Sequence, residues 1–285
     1  MKDLRLSIVG IDGMVGSALA AACRDQGVDY IGTTRREGAG NTVVLDLAKD
    51  LIVPAAFEGS CVVLCAAMSG FKACLDDPAT ARRVNVDAAR KISSWCAKAG
   101  SRLVFFSTSS VFSGDKDLPF EDEPVDPKTI YGRLKAEAER IILESGCSYG
   151  IIRPTKVFHK NLVLLRSWCD ALKAGQMIRP CRNLSVAPCL LEDVLSSAIA
   201  LARDQTSRIV HISSTDECTY ADIALHLAAH WNRNPALVAP ASLEELGVEL
   251  EHVPLHARLG QSQGNRPSSR CGWRDVVGCL EASIN

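Results

Sequence analysis

Three glycines constrain this chain more than any other feature. Gly10, Gly13 and Gly16 stand between the apolar run "RLSIV" and the helix-forming run "GSALAAACRDQG". Glycine suits such a junction for separate physical reasons. One residue permits the tight turn, one lets the backbone approach a pyrophosphate, and one lets helix and strand pack closely. The unpaired N–H groups at the start of the helix then face the phosphates. Strand, glycine turn and amphipathic helix in this order predict the opening of a dinucleotide-binding βαβ unit.

The chain that follows keeps the same alternation. "DYIGTT", "NTVVLDL", "CVVLCAA", "RLVFFSTS" and "YGIIRPT" read as strands, with "ATARRVNVDAARKISSWCAKAG" and "GRLKAEAERIILESG" as helices. Strands joined through helices need crossover connections, so the fold class expected is α/β, a doubly wound parallel sheet covered on both faces. Past about residue 155 the pattern loosens: "LVLLRSWCDALKAG", "LEDVLSSAIALARD" and "TYADIALHLAAHW" read as helices, "RIVHISS" as a strand and "GQSQGNRPSSRCGW" as loop. The expected organisation is a nucleotide-binding domain over 1–155, its sheet completed by segments within 185–215, and a smaller, partly interleaved substrate-binding region over 156–285.

The end of the second strand bears on which dinucleotide is held. An NAD enzyme usually carries an acid there for the ribose 2′-hydroxyl. Here Thr34 takes that position, and Arg35 and Arg36 follow. A carboxylate repels a 2′-phosphate whereas a guanidinium grips one, so NADP(H) is favoured, with NAD(H) the alternative. Asp46 in "VVLDL" suits a hydrogen bond from the adenine amino group, and Ala66 and Ala67 leave room along the cofactor.

Composition excludes several classes. Lysine and arginine number 32 against 33 acidic residues, a net charge of −1 that supports neither a nucleic-acid nor an anionic-membrane partner. The first apolar run is too short for a secretory signal and no run is long enough to span a bilayer, so a soluble, cytoplasmic protein is expected. The 12 cysteines are scattered without a C-x-x-C pair, several in apolar runs such as "CVVLCAAM", and read as reduced, packed thiols. The 6 histidines show no ligand spacing, and no metal site is expected.

Tyr131 and Lys135 in "YGRLK" are four positions apart, on one helix face and one turn from each other. A phenol with a pKa of about 10 needs help to move a proton at neutral pH, and a nearby ammonium favours the phenolate. Upstream, "FFSTSSVFSG" closes the fifth strand. The markers then run in order: G-x-x-G-x-x-G, Asp46-Leu47, "NVDAAR" at Asn85, "STSSVF", "YGRLK", "RPTKVF" and "PCLLEDV". Over about residues 6–200 the chain therefore resembles an extended short-chain dehydrogenase/reductase. "STSSVFSG" followed by "LPFEDEPVDPKTIYGRLKAEAE" is most similar to the dTDP-4-dehydrorhamnose reductases, and "GMVGSA" to the turn of GDP-fucose synthase.

This resemblance implies a Rossmann fold and an NADP-dependent reductase passing hydride to a keto group of a nucleotide sugar or a related ketone. It assigns proton donation to Tyr131, support and a nicotinamide-ribose contact to Lys135, and a carbonyl hydrogen bond to Thr108, three residues before Val111, with Ser107 and Ser109 adjacent. Cofactor contacts fall to Gly10, Gly13, Met14, Val15 and Gly16, to Thr34, Arg35 and Arg36, and to Asp46, Leu47, Ala66 and Ala67. Asn85, Tyr131, Lys135 and Pro154 complete that set. Ser109, Ser110 and Asn161 are candidate substrate contacts, and Arg179, Arg182 and Arg266 candidate diphosphate holders by charge and rough position. The chain also departs from the pattern. Lys156 stands where those reductases commonly show an aromatic residue, "IRPCRNLSVAPC" lacks their D-Q-x-G-x-P form, and Ser109 or Ser110 replaces the fucose-synthase cysteine. A nucleotide-sugar epimerase or dehydratase and a non-catalytic NADP-binding regulatory subunit are the alternative readings. A homodimer through helices flanking the sheet is the assembly common among such proteins.

Overall fold

The computed structural model describes residues 4–37, 40–49, 51–262 and 271–284. Its elements begin with β1 (Arg5–Val9), α1 (Met14–Asp25), β2 (Asp29–Thr34), β3 (Thr42–Val44), β4 (Cys61–Leu64), α2 (Phe71–Asp76) and α3 (Pro78–Arg82). Next come α4 (Ala88–Ala99), β5 (Arg102–Phe106), α5 (Ile130–Glu144), β6 (Ser148–Pro154), β7 (Lys156–Phe158), α6 (Val163–Lys173), β8 (Ser185–Val186) and β9 (Pro188–Leu190). The chain closes with α7 (Leu191–Arg203), β10 (Arg208–Ile212), β11 (Cys218–Thr219), α8 (Tyr220–His230) and α9 (Trp273–Ile284). Two compact units result, one of Met1–Phe112, Pro124–Arg153 and Val194–Val210, the other of Ser113–Glu123, Pro154–Asp193 and His211–Asn285.

The first unit is built on a seven-stranded sheet of order β10-β6-β5-β4-β1-β2-β3. Every pair from β3 across to β6 is parallel, the α/β class that the alternation predicts. A parallel sheet has to hide both faces, and its strands are apolar throughout as a result. All of "CVVL" in β4 and "RLVFF" in β5 is buried. Phe57, Leu64, Ile92, Phe105 and Ile151 anchor the core on this sheet. The strand order reverses at β1, with β2 and β3 to one side and β4, β5 and β6 to the other. Such a reversal opens a crevice beyond the carboxyl ends of the strands, where open α/β sheets take their ligands. The glycine turn leaves β1 at that point.

The predicted long helix over 79–100 is three pieces. Between α3 and α4 the residues Arg83–Asp87 form a π-helical turn, and Gly100, with φ of 63°, closes α4 in the left-handed region.

The second unit packs around Phe158, Leu165, Trp168, Leu227 and Val277, with two short strand pairs, β7–β9 parallel and β8–β11 antiparallel. Thr219 and Asp222 form a reciprocal capping box that starts α8. The segment 113–123 is fastened here by Arg258, whose Nε donates to Asp117 at 2.8 Å, and by Glu121, which accepts the Ser262 hydroxyl at 2.7 Å. Helix α9 is absent from the sequence reading, which takes the chain through Trp273 as loop. Trp273, Val276, Val277 and Leu280 nevertheless recur at helical spacing and are buried.

One polar interaction sits inside the first unit's core. Arg153 and Glu139 have side chains 3% exposed each and meet through Nη2 and Oε2 at 2.6 Å, with Nε adding contacts at 3.0 and 3.2 Å. Losing one partner would strand a buried charge. Arg153→Met should therefore lower stability by about 3–5 kcal/mol in urea unfolding, and Arg153→Met combined with Glu139→Leu should recover most of that loss.

Candidate active site

The three turn glycines divide by what demands them. Gly10 has φ of +90°, its N–H donates to Thr33 Oγ1 at 3.0 Å, and a Cβ there would lie 2.7 Å from the Ala66 Cβ. At Gly16 a Cβ would lie 2.1 Å from the Gly10 carbonyl oxygen. Internal packing alone requires both. Gly13 is different: its φ is −77°, and an added Cβ would meet only the Gly10 oxygen at an ordinary 3.5 Å. Among the described residues nothing asks for glycine at this place, which leaves bare backbone open at the turn. Helix α1 starts beside it with no side-chain cap and no acid in its first turn, leaving its N–H groups to an anion. Met14 is exposed and Val15 half-buried at that helix start.

Thr34 at the end of β2 is buried. Its hydroxyl donates to Asp12 Oδ2 at 2.5 Å and accepts the Arg36 N–H at 3.2 Å. Arg35 and Arg36 are exposed, and neither makes an ion pair among the described residues. Asp46 Oδ1 accepts the Ala48 N–H at 3.0 Å and Oδ2 lies 3.9 Å from Lys49, while the Leu47 side chain packs into the sheet core. The Ala66 N–H donates to the Val9 carbonyl at 2.9 Å, so the loop after β4 starts pinned to the end of β1, and Ala67 is exposed beyond it.

Asn85 lies in the π turn. Its Oδ1 accepts the Met68 N–H at 3.1 Å and its Nδ2 donates to the Met68 carbonyl at 3.1 Å, which also accepts the Cys74 thiol at 3.1 Å. The amide is thus committed to the backbone of the loop after β4, and whatever Asn85 does for a cofactor passes through that loop.

Thr108 ends the extended chain after β5. Its Oγ1 accepts the Ser110 N–H at 3.2 Å, capping the tight turn Ser109–Val111, and contacts Ser110 Oγ at 3.3 Å. The first turn of α5 sits directly on this feature. A Cβ at Gly132 would lie 2.1 Å from the Ser110 carbonyl oxygen, so the glycine after Tyr131 is what permits the approach. Thr129 caps the helix by accepting the Gly132 N–H at 3.0 Å. The helix start that carries Tyr131 is thereby brought onto the turn that Thr108 caps.

Three polar groups here are uncommitted. The Tyr131 hydroxyl makes no hydrogen bond among the described residues, and its ring packs against the cluster of Cys74, Val86 and Leu134 and meets Phe71 edge-on at 6.2 Å and 89°. Lys135 is 1% exposed, and its Nζ sits 3.9 Å from the centre of the Phe105 ring without a hydrogen bond or ion pair among the described residues. Ser107 Oγ is buried with no partner. Of the three, Ser107 Oγ is the atom wholly shut from solvent, where a hydroxyl is normally paired. Burial, and then the Cys74 thiol, raise the Tyr131 phenol above its ordinary value. Burial pushes Lys135 down to about 7, against the opposing pull of Glu139 and Cys65. The expectation that Lys135 lowers the phenol's pKa is not met in the cofactor-free chain, because the ammonium faces the Phe105 ring and burial dominates at Tyr131. The phenol holds its proton at neutral pH.

The remaining candidates lie on the second unit or outside the described residues. Pro154 is half-buried at the end of β6, and Lys156 and Arg179 are exposed. Asn161 Oδ1 accepts from Arg166 at 3.2 Å, and Arg182 is held by Glu245 at 3.1 Å. Arg266 lies outside the described residues. The sequence reading passed over Asp12, Phe71 and Gly132. Only Gly132 carried a local signal, since glycine is a poor helix former and stands among good ones in "IYGRLKAEAER".

A family model described as the RmlD substrate binding domain matches residues 4–278. The chain belongs to that family. This extends the resemblance read from the ordered motifs past residue 200. A dTDP-4-keto-6-deoxy-D-glucose reductase of Streptomyces niveus is 26% identical over 263 residues, covering 90% of this chain and 88% of that protein. The dTDP-4-dehydrorhamnose reductase of Bacillus anthracis, solved in complex with NADP, superposes with a TM-score of 0.84 at 21% identity over 99% of each chain. MoeE5, solved with UDP-glucose and NAD, gives 0.81 at 20% identity over 98% of each chain. The doubly wound fold is shared with both solved structures.

Two measurements test this geometry. Gly132→Ala forces the α5 start away from Ser110 and should lower stability by about 1–3 kcal/mol in urea unfolding. Lys135 carries a proton up to about pH 10.5 when unfolded and only to about 7 when folded. Unfolding therefore takes up a proton between those values, and stability rises with pH across that window. Lys135→Met should stabilise the cofactor-free chain by on the order of 2 kcal/mol or more at pH 6.5, and the gap should close as the pH approaches 10.

Proposed function

We propose that this chain is an NADPH-dependent reductase acting on the keto group of a nucleotide sugar. The observation that carries the reading is the pair of uncommitted groups on α5, the Tyr131 hydroxyl and Lys135 Nζ, next to the Thr108 turn. When bound, the reduced nicotinamide supplies the hydride. Gly13 and the open start of α1 receive the diphosphate, and Arg35 and Arg36 favour a 2′-phosphate by charge. Thr108 holds the substrate carbonyl and Tyr131 gives its proton to the developing alkoxide oxygen, as a phenol kept neutral by burial is able to do. Lys135, which has no hydrogen-bond acceptor among the described residues, gains ribose hydroxyls as partners and so keeps its proton near neutral pH. Asn161 and Arg179 are candidate nucleotide-sugar contacts, and Arg182 is a third once it leaves Glu245. A 4-keto sugar is favoured as substrate because the Streptomyces niveus and Bacillus anthracis relatives are named for reducing such compounds.

The test follows NADPH absorbance with a panel of 4-keto nucleotide sugars. Net oxidation of NADPH is expected, and Tyr131→Phe should cut kcat about 10²- to 10⁴-fold while leaving NADPH binding intact. Tight NADPH binding without turnover on any member of the panel would favour the regulatory-subunit reading. Isomerised product without net NADPH consumption would favour an epimerase.

A further inference from the structure

In dinucleotide folds the residue ending the second strand faces the adenosine ribose, and an acid there selects a free 2′-hydroxyl. Thr34 occupies that position, yet a carboxylate is present all the same. Asp12, inside the glycine turn, reaches across 22 residues of sequence and accepts the Thr34 hydroxyl at 2.5 Å. The Thr34 oxygen also accepts the Arg36 N–H at 3.2 Å, so the turn, the strand end and the arginine-bearing segment meet at one point. Asp12 is exposed and makes no ion pair among the described residues, which leaves its charge uncompensated beside Thr34.

We propose that Asp12 is the cofactor-selectivity residue of this chain, accepting a ribose 2′-hydroxyl and opposing the 2′-phosphate that Arg35 and Arg36 attract. The inference rests on the nicotinamide-dinucleotide reading given above and adds to it a counterweight. Two guanidiniums and one carboxylate of opposite preference act on the same ribose edge. The chain consequently accepts both NADH and NADPH, with a modest preference for the phosphorylated form, and Asp12 limits that preference.

Binding of two adenosine fragments to the full chain, measured by calorimetry without turnover, tests this. The fragments are 5′-AMP and adenosine 2′,5′-bisphosphate. Removing a unit charge a few ångströms from a dianionic phosphate at a partly solvated site changes affinity by on the order of tenfold. Asp12→Asn keeps an acceptor for the Thr34 hydroxyl, so the turn survives. It should tighten the bisphosphate about tenfold while leaving 5′-AMP unchanged or up to about threefold weaker, and added salt should shrink the gain. Asp12→Ser should behave alike, and Arg36→Ala should shift the ratio the opposite way. If Asp12→Asn and Asp12→Ser change both fragments by the same factor, Asp12 does not read the 2′ position and the inference falls while the reductase reading stands. If the wild-type chain binds neither fragment, the dinucleotide reading falls and takes this inference with it.

Discussion

Close approach of bare backbone governs this structure. At the reversal of strand order, the Gly10 carbonyl fills the place a Gly16 side chain would take, and Ala66 closes on Gly10 from the neighbouring loop. Neither contact tolerates a side chain on the glycine. What they achieve together is a helix start held at the carboxyl end of the central strand, with its N–H groups unshielded. The same device recurs at Gly132, where the Ser110 carbonyl lies against a helix that could not otherwise come so near. Two backbone-on-backbone contacts thus position the start of α1 and the Tyr131-bearing start of α5 in the first unit.

The electrostatics follow from burial. Lys135 and Tyr131 sit in surroundings that disfavour charge, and Glu139, whose charge acts on Lys135, is itself paired with Arg153. A lysine facing an aromatic ring in place of an anion is a costly arrangement in isolation. It makes the charge on that lysine sensitive to any acceptor brought near it. The loop that packs near Tyr131 is governed in its turn by Asn85, whose amide pairs with both polar groups of Met68.

How much of this was legible in the sequence depended on the range of the interaction. Strands such as "CVVL" and "RLVFF" are apolar runs because parallel sheets bury both faces, and α1, α5 and α8 show helical period. The order of motifs therefore placed the glycine turn, the serine turn and the Tyr-Lys helix correctly on the fold. Short elements left no readable period: β8 and β11 have two residues each, and α3 has five. Helix α9 was hidden behind a Gly-, Ser- and Pro-rich run. The bond between Asp12 and Thr34, the orientation of Lys135 toward Phe105 and the commitment of Asn85 to Met68 are products of packing, and no local pattern encodes them.

The arginine at the base of β5 carries a consequence for how the chain assembles. Arg102 is 8% exposed, and its guanidinium donates to the Leu201 carbonyl, the Ser148 hydroxyl and the Thr206 carbonyl at 2.5, 2.5 and 2.8 Å. Two of those three acceptors lie beyond Pro154–Asp193, a stretch that belongs to the other unit. On a ribosome the first 153 residues emerge with this cation still short of its acceptors and the sheet still lacking β10. A sheet whose last strand arrives so late cannot close domain by domain in order of synthesis. Its edge strand β6 waits, exposed to wrong pairing, until the intervening residues have been made.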